Sequence, residues 1–198
     1  MCLVATEDEL SEAVLVRLLA QRGVGPERTK LLRRNGNGYL RSRFTHFLDA
    51  ASNGRNVLVL TDLDRLRCAP SLVQNWYGDM ARQERLLLRV AVREVEAWLL
   101  ADDVSFLEFI GSPRQKIQKD VEAIADPKLY LLNLAKRGRR DIRNDLLPRA
   151  GVLAYQGFGY NQRLSEFVSQ IWCPERASEK SDSLRRAIDR IDDWIASF

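Results

Sequence analysis

Two aspartates, Asp62 and Asp64, close the run Val57-Leu58-Val59-Leu60-Thr61-Asp62-Leu63-Asp64. Side chains at i and i+2 of an extended chain point to the same side, so this spacing lets both carboxylates converge on one point. Like charges held together are unfavourable unless a proton or a cation lies between them. An all-oxygen pair suits a hard divalent ion such as Mg²⁺ or Mn²⁺, with water completing the shell. Two further groups of acids share the setting. Glu7, Asp8 and Glu9 follow the apolar residues 2–5, with Glu12 one helical turn further, and Glu94 and Glu96 follow residues 86–92. A plainer role exists for each group, because an acid just before a helix caps its free N–H groups and favours its positive end. Capping explains one of Asp62 and Asp64 more readily than both, and Glu96 equally suits a surface helix position.

These acids meet only if the three apolar runs lie side by side, since ligands of open α/β sheets bind beyond the carboxyl ends of the strands. Residues 2–5 read as a first strand. From Glu9, Leu10, Val14, Leu15, Leu18 and Leu19 recur at helical spacing until Gly23-Val24-Gly25-Pro26 stops the helix. A basic stretch leads to the turn Asn35-Gly36-Asn37-Gly38, and residues 39–51 read as a second helix with Leu40, Phe44, Phe47 and Leu48 inward. Residues 57–60 and 86–92 are two more strands, separated by a helix running from a Ser71 cap to about Gln83. Residues 94–102 are helical again. Alternating strands and helices predict an α/β fold with a parallel sheet.

Beyond Asp102 no strand pattern is present. Residues 104–110, 116–125, 127–136, 141–147, 161–172 and 183–195 are helical in pattern, the last with Ser183 as its cap. Gly157-Phe158-Gly159-Tyr160-Asn161 reads as a turn before a helix. The expectation is one domain over 1–198, with an α/β part over 1–102 and a helical extension over 103–198 packed on it.

A chain of 198 residues, 45% hydrophobic and 29% charged, has the makeup of an ordinary globular protein. No apolar stretch is long enough for a bilayer, and the first residues lack the basic start of a signal peptide. Cys2, Cys68 and Cys173 are odd in number and widely spaced, which reads as reduced thiols and a cytoplasmic location. The single histidine, His46, excludes His-rich zinc sites, and no phosphate loop of GxxxxGK[ST] form occurs. The net charge of +4 is uneven. Arg28, Lys30, Arg33, Arg34, Arg41 and Arg43 form one basic block, and Arg137, Arg139 and Arg140 belong to a second. Such blocks suit the phosphates of DNA or RNA, and suit equally a solvated helix face.

The pattern resembles a TOPRIM domain, the metal-binding fold shared by topoisomerases, bacterial primases and the overcoming-lysogenization-defect (OLD) nucleases. Leu3-Val4-Ala5-Thr6-Glu7-Asp8-Glu9-Leu10-Ser11-Glu12 is similar to that family's first strand and acid-bearing helix start, and Thr61-Asp62-Leu63-Asp64 to its DxD motif. Arg93-Glu94-Val95-Glu96-Ala97-Trp98-Leu99-Leu100-Ala101-Asp102, with Cys68 after the DxD, resembles small bacterial TOPRIM-like proteins often encoded beside an ABC- or AAA-type ATPase. The resemblance covers about the first half of the chain. It departs in one place: Asp8 stands where a glycine usually follows the first glutamate, so the first ligand falls among Glu7, Asp8 and Glu9.

The resemblance implies a TOPRIM-like, Rossmann-like sheet and a Mg²⁺- or Mn²⁺-dependent phosphodiester hydrolase of nucleic acid, in anti-phage or DNA-processing work. Its catalytic acids would be Glu7, Asp62, Asp64 and Glu96, with Glu12 as a further metal ligand. The alternative is a non-catalytic subunit bound to a partner ATPase. A sugar-nucleotide transferase using Asp62-Leu63-Asp64 would need a donor pocket that the sequence does not reveal.

Overall fold

The computed structural model of the chain describes residues 1–33, 37–149 and 151–197. Four strands form one sheet: β1 (Cys2–Thr6), β2 (Thr29–Arg33), β3 (Asn56–Asp62) and β4 (Leu86–Ala91). Their order is β2-β1-β3-β4, and every neighbouring pair is parallel. Cys2 stands level with Thr29 and Asn56, and Asp62 with Ala91. All four strands therefore end at one edge, which places Glu7, the Asp62–Asp64 turn and residues 93–96 just beyond it. The central strands β1 and β3 are covered on both faces, which accounts for their nearly continuous apolar sequences.

Side-chain alternation divides the core. Val57 and Val59 face the helices α2 (Asn37–Ser42), α3 (Phe44–Ser52) and α4 (Ala69–Tyr77), together with Phe44, Leu48, Leu72 and Trp76. Leu58 and Leu60 face α1 (Glu9–Ala20) and α5 (Val95–Ala101) on the other side. That second cluster continues through α6 (Asp103–Phe109), α7 (Pro127–Ala135), α8 (Arg140–Leu146), α9 (Tyr160–Gln170) and α10 (Pro174–Ser178) to Trp194 of α11 (Asp182–Ile195).

Buried polar groups tie the helical half to the sheet. Trp98 Nε1 donates to Ser183 Oγ at 2.7 Å, and Trp172 Nε1 to the Trp98 carbonyl at 3.2 Å. The buried Asp102 carboxylate accepts from the Cys173 N–H at 2.9 Å and from Arg176 Nε at 2.6 Å. Among the described residues no helix is long and apolar enough to cross a membrane.

Several elements differ from the sequence reading. The stretch read only as basic contains the edge strand β2, so the sheet has a fourth strand. Residues 39–51 form two helices broken at Arg43, which lies outside helical geometry (φ −99°, ψ 1°). The helix expected from a Ser71 cap to about Gln83 instead has Cys68 at its N-cap position, and it stops at Tyr77 because Gly78 takes φ +53°. Residues 116–125 hold only a 3₁₀ turn at Val121–Ala123. Helix α10 was not foreseen, and Ser181, not Ser183, caps α11 by accepting from the Leu184 N–H at 3.2 Å. Part of the turn read at Asn35-Gly36-Asn37-Gly38 lies outside the described residues, as does Arg34.

Candidate active site

Glu7 is the first residue past β1, and it reaches across to β3. One of its oxygens, Oε1, accepts from the Thr61 hydroxyl and from the Asp62 N–H, the latter at 3.0 Å. Asp62 ends β3, and its Oδ1 accepts from the N–H of Val95 at 3.0 Å. Val95 is the first residue of α5, so this carboxylate lies at the helix end where N–H groups have no helical partner. Glu96 stands in the first turn of α5 and is buried; its Oε1 accepts from the Tyr160 hydroxyl at 2.7 Å. Glu94 accepts from the N–H of Lys128, near the start of α7, at 3.0 Å.

The second aspartate of the pair occupies a special backbone position. Asp64 has φ +51°, the left-handed region that aspartate tolerates better than most residues. The Leu63 N–H donates to the Ala91 carbonyl and the Asp64 N–H to the Arg93 carbonyl, both at 2.8 Å. Arg93 Nη1 returns a bond to the Asp64 carbonyl at 3.3 Å. The turn carrying the pair is thus pinned to the segment that leads into α5.

Enclosure and like charge act together on these acids. Burial, then Glu96 and Glu7, push the Asp62 carboxyl well above the usual carboxylate range. Burial raises Glu7 to about 6, although its Thr61 and Asp62 hydrogen bonds oppose this. Burial and then Glu94 raise Glu96 to about 7, opposed by Lys128 and by the Tyr160 hydroxyl. Burial also lifts Glu94, partly offset by its Lys128 N–H bond. Tyr160 is held in its neutral form by burial and by Glu96, and Lys128 Nζ lies 4.8 Å from its ring centroid. The end of the sheet is a site that favours a proton or a cation.

Beside it, Asp64 and Glu94 border a cleft of about 1200 Å³, lined also by Arg65, Arg93, Asp126 and Tyr155. Among the described residues no three His, Cys, Asp or Glu side chains form a ready cage for a metal ion. The acids are linked pairwise instead: Glu7 to β3 beside Asp62, and Asp62 to α5 beside Glu96. An ion held here would keep open positions for water or substrate oxygens.

The remaining sequence candidates are distributed as follows. Asp8 caps α1 by accepting from the Ser11 N–H at 2.8 Å, and its charge still acts on Glu7, Asp62 and Glu96. Glu9 and Glu12 line a separate groove of about 1020 Å³ between α1 and α9. Arg28 lies with Met1, Cys2 and Asn56 at the opposite edge of the sheet, where the strands begin. Lys30 is exposed on β2, and Arg33 ends that strand level with Thr6. Arg41 donates to the Trp76 carbonyl at 2.6 Å, and Arg43 stacks 5.7 Å from the Tyr39 ring centroid. Arg137, Arg139 and Arg140 lie past the far end of α7, roughly 13 Å along the helix from the Lys128 end.

The four acids Glu7, Asp62, Asp64 and Glu96 come to one sheet edge; of the basic residues described, Arg33 ends β2 at that same edge, Arg28 lies at the opposite one, and Arg137, Arg139 and Arg140 follow the far end of α7. Sequence reading passed over Thr61, Arg93, Lys128 and the role of Tyr160. Thr61 sits inside the acidic run, but Tyr160 meets Glu96 across 64 residues of chain, and no local pattern marks such a partner.

No family model matches the chain, and no curated protein matches it. Among solved structures it is similar to the C-terminal region of the Burkholderia pseudomallei OLD protein. The likeness spans 94% of this chain and 98% of that one, at 12% identity and a TM-score of 0.44.

Proposed function

We propose that this chain is a divalent-metal-dependent phosphodiester hydrolase of TOPRIM type that acts on nucleic acid. The observation that carries the reading is the meeting of Glu7, Asp62, Asp64 and Glu96 at the carboxyl edge of the sheet, with Glu7 Oε1 on the Asp62 N–H and Asp62 Oδ1 on the Val95 N–H; the neighbouring acids also raise the proton affinity of Asp62. Removing that repulsion calls for positive charge, and the donors available are all carboxylate oxygens, which favours Mg²⁺ or Mn²⁺. Asp62 and Asp64 would hold the ion, with Glu7 and Glu96 completing one or two sites. When bound, the metal supplies polarisation of the phosphate and a lowered pKa for attacking water.

The chain's own groups set the geometry. Thr61 and the Asp62 N–H fix one oxygen of Glu7, and the Val95 N–H fixes one oxygen of Asp62. Tyr160 orients Glu96, while Lys128 over the Tyr160 ring brings a positive charge toward the same corner. The bonds of Leu63, Asp64 and Arg93 hold the DxD turn against the β4–α5 connection, so Asp64 keeps its position as charge changes.

Cleavage of labelled single- and double-stranded DNA and RNA in Mg²⁺ or Mn²⁺ tests this. The expected result is wild-type cleavage that is lost with EDTA and lost in Asp62→Ala/Asp64→Ala, with the circular dichroism spectrum unchanged. Cleavage retained by a clean double variant contradicts it.

A second reading keeps the acids but makes activity depend on a partner ATPase, as the resemblance to OLD-type and anti-phage systems implies. Val152, Leu153 and Phe158 on the loop before α9 are each exposed, and apolar side chains of this kind are available for docking. Cleavage that appears only when an ATPase encoded alongside is added would select this reading.

A further inference from the structure

β4 is the last strand of the sheet, and a groove of about 630 Å³ runs beside it toward α11. Five arginines line this groove. Arg67 and Arg93 come from the connections after β3 and β4, Arg82 from the loop before β4, Arg89 from β4 itself and Arg186 from α11. The two acids in the lining are already engaged. Glu122 Oε1 accepts from the Ser181 hydroxyl and from the Ser183 N–H, each at 2.7 Å. Asp182 pairs with Arg186 at 2.7 Å and also with Arg185. The groove keeps an excess of positive charge.

Arg89 is the one of the five with a buried, unpartnered nitrogen among the described residues, its Nε. The charges acting on it are Arg190 and Arg186, of its own sign, and with burial they lower its proton affinity. A guanidinium in such a place is stabilised by an anion, and its planar fork matches two oxygens of a phosphate. Arg93 lines both this groove and the cleft beside Asp64 and Glu94, so the positive groove leads directly to the carboxylate edge. A polymer with one phosphate per nucleotide fits that layout: one phosphate at the acids and its neighbours among the arginines.

We infer that the Arg67–Arg89–Arg93 groove along β4 binds the phosphodiester backbone of the nucleic acid strand whose adjoining phosphate reaches Asp62 and Asp64. This rests on the hydrolase reading for its substrate class, and it transfers strand binding away from the two basic blocks of the sequence. Arg28 and Lys30 serve as the comparison, because Arg28 sits at the opposite edge of the sheet.

The test is fluorescence anisotropy of a labelled single-stranded oligonucleotide, titrated in EDTA across a salt series. Arg89→Gln and Arg67→Gln are each compared with wild type and with Arg28→Gln/Lys30→Gln. Each groove substitution is expected to weaken binding about tenfold and to flatten the salt dependence by about one phosphate contact. The Arg28→Gln/Lys30→Gln control should bind as wild type does. Arg89→Gln removes a half-buried cation whose Nε has no partner, so its melting temperature should not fall; Arg67 is exposed and gives an independent variant.

Affinity indifferent to both groove substitutions overturns the inference. So does a wild type that binds inorganic phosphate in an Arg89-dependent way but ignores the oligonucleotide, which would make the groove a small-anion site. The two readings fail separately. Arg89-dependent binding by a protein that never cleaves would sustain the groove and sink the hydrolase, and metal-dependent cleavage with Arg89-independent binding would do the reverse.

Discussion

Asp62 is half-buried at the carboxylate edge and faces the charges of Glu96 and Glu7, which hold its carboxyl above the usual carboxylate range. Asp62→Asn keeps an oxygen for the Val95 N–H while removing the charge, so the metal-free variant should melt at a higher temperature than wild type at pH 8. A lower melting temperature would contradict this. The pH dependence has a definite sign. Glu7 and Glu96 have an ordinary value of 4.5 and rise in the fold to about 6 and about 7. Between the ordinary and folded values the native state binds more protons than the unfolded one, so stability falls as pH rises from about 4.5 to about 7. Each whole pKa step is worth about 1.4 kcal/mol. Thermal unfolding in EDTA should therefore show a lower midpoint at pH 8 than at pH 5, with Mn²⁺ restoring part of the loss at pH 8. The acids were legible in the sequence because i, i+2 spacing after an apolar run is local information. Tyr160 and Lys128 were not, since burial alone brings them to Glu96.

At the level of elements, periodicity located most helices and three strands, and it failed where position in the fold outweighs local pattern. In β2, Lys30 and Leu31 are exposed at the sheet's edge, so the strand reads as a basic stretch, not as an apolar run. Residues 116–125 carry an apolar spacing that suits a helix, yet Asp120 caps only the short turn at Val121–Ala123 by accepting from the Ala123 N–H at 3.2 Å. The loop before α9 matters because it delivers Tyr160 to Glu96. Gly157 there has no room for a side chain, as a Cβ would come within 2.2 Å of the Asp145 carbonyl oxygen and 2.7 Å of that of Leu147. Gly157→Ala should destabilise the fold by roughly 1–3 kcal/mol. It should also weaken metal binding by displacing Tyr160. Denaturant unfolding and Mn²⁺ titration check both, and a variant of wild-type stability would show that the loop yields freely.

Across the whole molecule, the helical half completes what the sheet begins. One apolar cluster runs from Val4 and Leu58 through Trp98 to Trp194, and α7 and α9 bring Lys128 and Tyr160 to acids that the strands deliver. A net charge of +4 understates the asymmetry, with carboxylates grouped at the strand ends and arginines along β4. Such a division suits a polyanion held beside a cation-binding centre. The central claim is that the grouped carboxylates take up a divalent ion. Isothermal calorimetry of Mg²⁺ and Mn²⁺ near pH 7, in buffers of different ionisation enthalpy, measures this on wild type and on Asp62→Ala/Asp64→Ala. The expected result is binding with release of protons in the wild type and no binding in the double variant. A wild type that binds neither ion, or a double variant that binds as the wild type does, would contradict the account.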